Sequence, residues 1–285
     1  MKPSRAEYLS TTFETVLSQA LARALKDVPV NLADSIRYSL LAPGKRIRPR
    51  LAFASASIVG LDPQAAESTA LALEMVHCFT LIHDDLPSMD NDEFRRGQPT
   101  NHRKFGEAVA LLAGDALLAV AFEIFSEALN TLQPQLFAEG FKRFCWAAGP
   151  RGVIGGQAAE LLLNSSSTLD DLRLMHAGKT GALFLAPILI PADFTGLPKK
   201  DERFLCIQNF AAELGQAFQV ADDLADAVQD SGKPLSILYF MSPEQAREQT
   251  ISRLTQARIR LETTYGERSH GLTQICDQVM SSLEL

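Results

Sequence analysis

Two short stretches of this chain gather carboxylates where a helix gains nothing from them. At 81–97, LIHDDLPSMDNDEFRRG, an apolar run ends in Asp84 and Asp85, continues through Asp90, Asp92 and Glu93, and closes on Arg95 and Arg96. At 215–226, GQAFQVADDLAD, Asp222 and Asp226 stand four apart on one helix face with Asp223 beside them. Acidic groups at a helix C-terminus oppose the macrodipole by a few tenths to about 1 kcal/mol, and like charges at i,i+4 repel. Divalent cations would relieve both strains. All the donors are hard oxygens, which suits Mg²⁺ held by one or two carboxylates plus substrate phosphates. Guanidiniums beside such a site suit a multiply charged anion such as a diphosphate, which arginine binds with paired hydrogen bonds. Either cluster alone reads equally well as a solvated helix end with surface salt bridges. Two of them, each ending an apolar helix, make the stronger case, and in a helical bundle they could face each other across a cavity.

The elements that must carry these residues are helical almost throughout. Apolar residues recur every three or four positions over 64–83, and 203–228 and 243–264 read as helices as well. The run 106–129 is apolar nearly all round and is expected to be buried. GALFLAPILIPA is apolar but short, interrupted by Pro187 and Pro191, and no run approaches the roughly 20 apolar residues of a membrane helix. Alternating strands and hairpin turns are not evident. Pro and Gly punctuate helix ends without forming a linker, so one all-α domain over 1–285 is the simplest organisation.

Composition narrows the function classes. The net charge of −7 argues against a nucleic-acid binder working through a basic face. The start, MKPSRAEYLS, lacks the apolar stretch of a secretory signal. Cys78, Cys145, Cys206 and Cys276 show no metal-ligand spacing and read as reduced, mostly core thiols. A cytoplasmic enzyme with no membrane or nucleic-acid partner is the expectation.

DDLPSMD followed by NDEFRRGQPTNHRKFGE, then DDLAD, resembles the aspartate-rich motifs of the trans-isoprenyl diphosphate synthases, the farnesyl and geranylgeranyl diphosphate synthase family. GKRIRP at 44–49, EMVHCFTLIHDD at 74–85, LLAGDALL at 111–118, GGQAAEL at 155–161 and KTGALF at 179–184 match in the same order. The resemblance implies an all-α isoprenoid-synthase bundle with a central apolar cavity, usually a homodimer. It implies three Mg²⁺ ions, with Mn²⁺ an alternative, held on an allylic diphosphate by Asp84, Asp85, Asp90 and Asp222, with weaker roles for Asp223 and Asp226. Arg95 and Lys179 would bind that diphosphate. Lys45, Arg48, His77 and Arg96 would hold isopentenyl diphosphate. Backbone carbonyls near Lys179 and Thr180, with Gln219, would face the allylic cation. Phe79, five positions before Asp84, would limit product length and favour farnesyl over geranylgeranyl diphosphate.

The bland alternatives differ by residue. Lys45, Arg46 and Arg48 could form an ordinary basic loop, and His77 could be a core histidine. His83 reads as structural. Gly155 and Gly156 most simply permit close helix packing. The chain departs from the family after the second cluster: DSGKPLSILYF is roughly a dozen residues short and carries one Gly-Lys, leaving Lys233 as the candidate loop lysine. That shortening motivates an alternative, a binding or regulatory homologue with little prenyl transfer. A terpene cyclase would not need GKRIRP and His77, and a squalene-type synthase would not be expected to match GKRIRP and KTGALF.

Overall fold

The computed structural model describes residues 5–226 and 235–284. It is almost wholly helical, as expected, and falls into two compact units, Met1–Arg50 with Gln64–Thr131, and Leu51–Pro63 with Leu132–Leu285.

The first unit contains α1 (Arg5–Ala24), α2 (Val30–Leu40), the start of α3 (Ile47–Val59), nearly all of α4 (Pro63–Asp84), α5 (Asn101–Phe105) and α6 (Glu107–Ser126). Every residue of α4 from Ser68 to Val76 is buried, because alanines and small hydroxyl residues let other chain segments approach on all sides. One of these buried residues, Glu74, is a carboxylate and needs a partner. Arg46 supplies it at 2.8 Å and also bonds Glu14 at 2.7 Å and the carbonyls of Leu40 and Ala42. Its backbone is left-handed, with φ +46°. Arg46 is therefore the tie that closes the loop between α2 and α3, and Lys45 beside it stays exposed.

The same unit holds a hairpin that the sequence pattern did not reveal. Strands β1 (Phe94–Arg95) and β2 (Gln98–Pro99) pair antiparallel, Phe94 against Pro99 and Arg95 against Gln98. Arg96 and Gly97 both have positive φ, +52° and +76°, as a type I′ turn requires. Two residues per strand are too few to show alternation, and Arg-Gly is not the usual Asn-Gly signal. Tyr38 of α2 donates to the Pro99 carbonyl at 2.7 Å, and buried Asn101 bonds Ser35 and Ser39, fixing the hairpin's end to α2.

The expectation that 106–129 is buried is corrected. Only one face of α6 is covered, through Ala110, Ala113, Gly114, Leu117, Ala121 and Ile124, while Leu111 and Leu112 are 47% and 55% exposed. The expectation about membrane-length runs is corrected too. By length and composition Pro63–Asp84, Glu107–Asn130 and Leu169–Phe194 could each cross a bilayer, although the first and third lie mostly inside the fold.

The second unit contains α7 (Pro134–Ala148), α8 (Val153–Glu160), α9 (Leu169–His176), a π-helical turn (Ala177–Gly181), α10 (Ala182–Phe194), α11 (Glu202–Ala225), α12 (Pro243–Tyr265) and α13 (His270–Glu284). α10 packs against α7 and α11, and α11 against α12 and α13. Pro187 and Pro191 do not interrupt α10. Every residue of it except Leu185 is buried, and that packing outweighs the lost backbone donors. Ser55 donates to the Ile188 carbonyl at 2.5 Å. Asp193, fully buried near the end of α10, is neutralised by Arg143 and Lys199. Thr168 and Ser242 cap α9 and α12 with complete capping boxes.

Arg46→Met should lower the unfolding free energy by about 3 kcal/mol, because it leaves Glu74 charged, buried and unpaired. Adding Glu74→Met should recover most of that loss in denaturant titrations.

Candidate active site

The end of α4 carries the first acidic cluster. Pro87 cannot continue the helix, and the chain turns back through bonds from the Asp90 and Asn91 amides to the carbonyls of Asp84 and Leu86, at 2.9 and 3.1 Å. Asn91 takes the left-handed conformation this turn needs, at φ +54°. Asp90 is thereby brought back beside Asp84, and it is exposed.

The hairpin then sends its two arginines to different partners. Arg95 donates through Nε to Asp85 Oδ1 at 2.7 Å, its Nη2 lies 2.6 Å from the same oxygen as an ion pair, and Nη2 reaches Asp92 at 3.4 Å. Asp85 is 3% exposed. Burial pushes its carboxyl upward and Arg95 opposes that shift. Arg96 donates to the Pro43 carbonyl at 3.0 Å, over Gly44, where a Cβ would crowd the guanidinium. A cavity of about 110 Å³ lies beneath the hairpin, lined in part by Cys78, Ile82, Asp85, Arg95 and Arg96.

Arg48 and His77 are half-buried. Burial holds the His77 imidazole well below its usual range, reinforced by the positive charges of Arg48, Arg96, Arg95 and Arg46. A neutral histidine among guanidiniums is an environment that an incoming polyanion would complete. His83 instead bonds the Leu111 carbonyl at 3.0 Å and sits where any side chain on Gly114 would overlap it, so it joins α4 to α6. Phe79 is buried and meets His83 edge to face, with ring centroids 5.8 Å apart.

The second unit holds the remaining residues. A Cβ on Gly156 would overlap the Lys179 amide, so this glycine lets α8 press onto the π-helical turn, in line with the packing role expected for it. Lys179 is paired with Glu160, whose Oε2 also accepts from Gln157 at 2.7 Å. Thr180 donates to Gln219 Oε1 at 2.7 Å, and Gln219 Nε2 donates to Asp223 Oδ1 at 2.9 Å. The other oxygen of Asp223 accepts from the Ile237 amide at 2.7 Å. Asp222 and Asp226 are exposed at the end of α11. Lys233 lies outside the described residues.

The donor set fits magnesium of one kind. Among the described residues no three His, Cys, Asp or Glu side chains form a metal cage. Asp84 with Asp90, and Asp222 with Asp226, offer hard oxygens in pairs, which suits an ion completing its shell with phosphates and water. Asp85 and Asp223 are buried and accept from protein donors.

Sequence reasoning gave no role to Glu160 and Glu74, read Arg46 only as part of a basic loop, and read Gln157 only with the packing glycines before it. Gln157 and Glu160 lie at i,i+3 inside GGQAAEL, and that spacing was the available signal for that pair. Nothing in the sequence pairs Arg46 with Glu74, 28 residues away.

Gly156→Ala should force α8 off the π-helical turn, cost about 1–3 kcal/mol of stability and displace Lys179; calorimetry reads the first effect and activity the second. His77 should stay neutral in NMR titrations below pH 6.5, and pyrophosphate should move its titration upward. Because the folded form resists a proton that the unfolded form accepts, His77 adds stability above about pH 6.5 that is lost as the pH falls toward its folded value. His77→Phe should flatten that loss.

Comparison with known proteins agrees with this geometry. The sequence model of the polyprenyl synthetase family matches residues 29–236. A farnesyl diphosphate synthase of Geobacillus stearothermophilus is 42% identical over 227 residues, covering 78% of this chain and 75% of that protein. A geranylgeranyl diphosphate synthase of Cyanophora paradoxa is 41% identical over 241 residues, covering 82% and 79%. Among solved structures, a geranyltransferase of Legionella pneumophila superposes with a TM-score of 0.87 at 27% identity over 98% of this chain and 97% of its own. An FPP/GFPP synthase of Zymomonas mobilis gives 0.83 at 33% identity over 96% and 99%. With its two acidic helix ends and its all-helical fold, the chain belongs to the polyprenyl synthetase family, the trans-isoprenyl diphosphate synthases, and is a prenyltransferase of that family.

Proposed function

We propose that this chain joins isopentenyl diphosphate head to tail to dimethylallyl or geranyl diphosphate, yielding farnesyl diphosphate. The observation that carries this reading is the divergent aim of Arg95 and Arg96. Adjacent in sequence, they are held by Asp85 and by the Pro43 carbonyl, an arrangement suited to two separate diphosphates. Arg96, with Lys45, Arg48 and neutral His77, takes isopentenyl diphosphate. Arg95 and Lys179 take the allylic diphosphate, Lys179 being held ready by Glu160.

Asp84, Asp90, Asp222 and Asp226 would hold magnesium, three ions in this reading, which when bound would supply positive charge against the departing pyrophosphate. Asp85 acts here by positioning Arg95. Breaking the allylic C–O bond leaves a delocalised cation, which Thr180 and Gln219 face. The cation alkylates the double bond of isopentenyl diphosphate, and a proton leaves to pyrophosphate, so no side-chain base is needed. Arg95 and Lys179, each already held by a carboxylate, would stabilise the leaving group's charge with little reorganisation. The chain is read as one domain over 1–285, a cytoplasmic homodimer; the exposed leucines of α6 support the dimer.

Incubation with Mg²⁺, isopentenyl diphosphate and allylic diphosphates of five to fifteen carbons, followed by chain-length analysis, tests this. Farnesyl diphosphate should accumulate, and Asp84→Ala should cut turnover at least ~10²-fold. Consumption of no isopentenyl diphosphate would leave a binding homologue as the answer, and a twenty-carbon product would replace farnesyl by geranylgeranyl synthesis, the activity named for the Cyanophora relative. Phe79→Ala should lengthen the product, and an unchanged chain length refutes its role.

A further inference from the structure

We propose that Asp223 sets the direction of a hydrogen-bond chain that leaves Thr180 presenting lone pairs to the allylic cation, so that it is a positioning residue and not a metal ligand. The inference rests on the function proposed above. Asp223 is 6% exposed, and each of its oxygens accepts a hydrogen bond, one from the Ile237 amide and one from Gln219 Nε2. An ionised carboxylate only accepts. The Gln219 amide therefore cannot turn over: its NH₂ must face Asp223 and its oxygen must face Thr180. That oxygen takes the Thr180 hydroxyl proton at 2.7 Å.

A threonine hydroxyl has one proton and two lone pairs. With the proton committed to Gln219, the free side of Thr180 Oγ1 is electron-rich. In a helix a threonine hydroxyl more often donates back to a carbonyl of its own preceding turn. The Gln219–Asp223 pair gives the proton another destination, so the polarity of Thr180 is decided by Asp223 on α11, two hydrogen bonds and one side chain away. The Ile237 amide anchors the far end of the chain, and so ties this polarity to the segment that follows the shortened stretch after the second acidic cluster.

Asparagine at 223 separates this role from metal binding. Its single carbonyl oxygen is claimed by the buried Ile237 amide, which is costly to leave unbonded. Its NH₂ then faces Gln219, which must flip, donate to Thr180 and free the Thr180 proton to point outward. Asp223→Asn should lower kcat ~10- to 100-fold, while KM for the allylic diphosphate and the half-saturating Mg²⁺ concentration stay within about twofold. Asp223→Asn with Gln219→Glu restores the original direction, since a carboxylate at 219 accepts both from the amide introduced at 223 and from Thr180, and should recover most of the lost kcat. Thr180→Val should lose a similar amount, and adding Asp223→Asn to it should cost little more. Thermal midpoints of each variant confirm that folded protein is compared. A raised Mg²⁺ requirement in Asp223→Asn, or no recovery in the folded double variant, overturns the proposal. A wild-type protein inert toward every diphosphate pair defeats the functional reading itself, whereas an active wild type with those mutant results defeats the relay alone.

Discussion

A cation that must bind a diphosphate has to be held in place before the diphosphate arrives, and in a partly buried setting only a resident acceptor can hold it. Arg95 leans on buried Asp85, Arg96 on the Pro43 carbonyl, and Lys179 on Glu160, itself steadied by Gln157. Without those partners each cation would carry an uncompensated desolvation cost, or would relax into solvent and lose its aim. Arg46 shows the same pairing used purely for structure. It neutralises Glu74 inside α4 and thereby closes the loop that displays Lys45.

Backbone geometry serves this pairing. Arg95 and Arg96 are adjacent in the chain yet serve Asp85 and the Pro43 carbonyl. The left-handed turn at Arg96 and Gly97 separates them. In the second unit the π-helical turn brings Lys179 to Glu160 and Thr180 to Gln219, and it approaches α8 closely because Gly156 has no side chain. These departures from regular structure cluster where the chemistry is assigned, as expected where function and not packing sets the conformation.

Much of this was legible beforehand. The helices at 64–83, 243–264 and 203–228, the last two positions of which lie outside the described residues, appear close to expectation because long amphipathic or apolar periodicity is a strong signal. The acidic helix ends were readable because carboxylates there conflict with helix electrostatics, and the arginine pair because guanidiniums beside them suit a polyanion. The hairpin at 94–99 was not, since two-residue strands carry no period. The continuity of α10 through Pro187 and Pro191 was not, since local propensity cannot anticipate how completely a helix will be buried.

By itself the sequence determined the inventory: carboxylates ending two apolar helices, basic residues beside them, and an order of motifs specific to one family. Only the tertiary structure decided which carboxylates go inward. Asp84 and Asp85 are neighbours, as are Asp222 and Asp223, and nothing in their spacing distinguishes them. Successive residues on a helix point about 100° apart, so one of each pair turns toward solvent or substrate and the other inward. Burial then obliges the inward one to find donors, in Arg95 for Asp85 and in Gln219 and the Ile237 amide for Asp223.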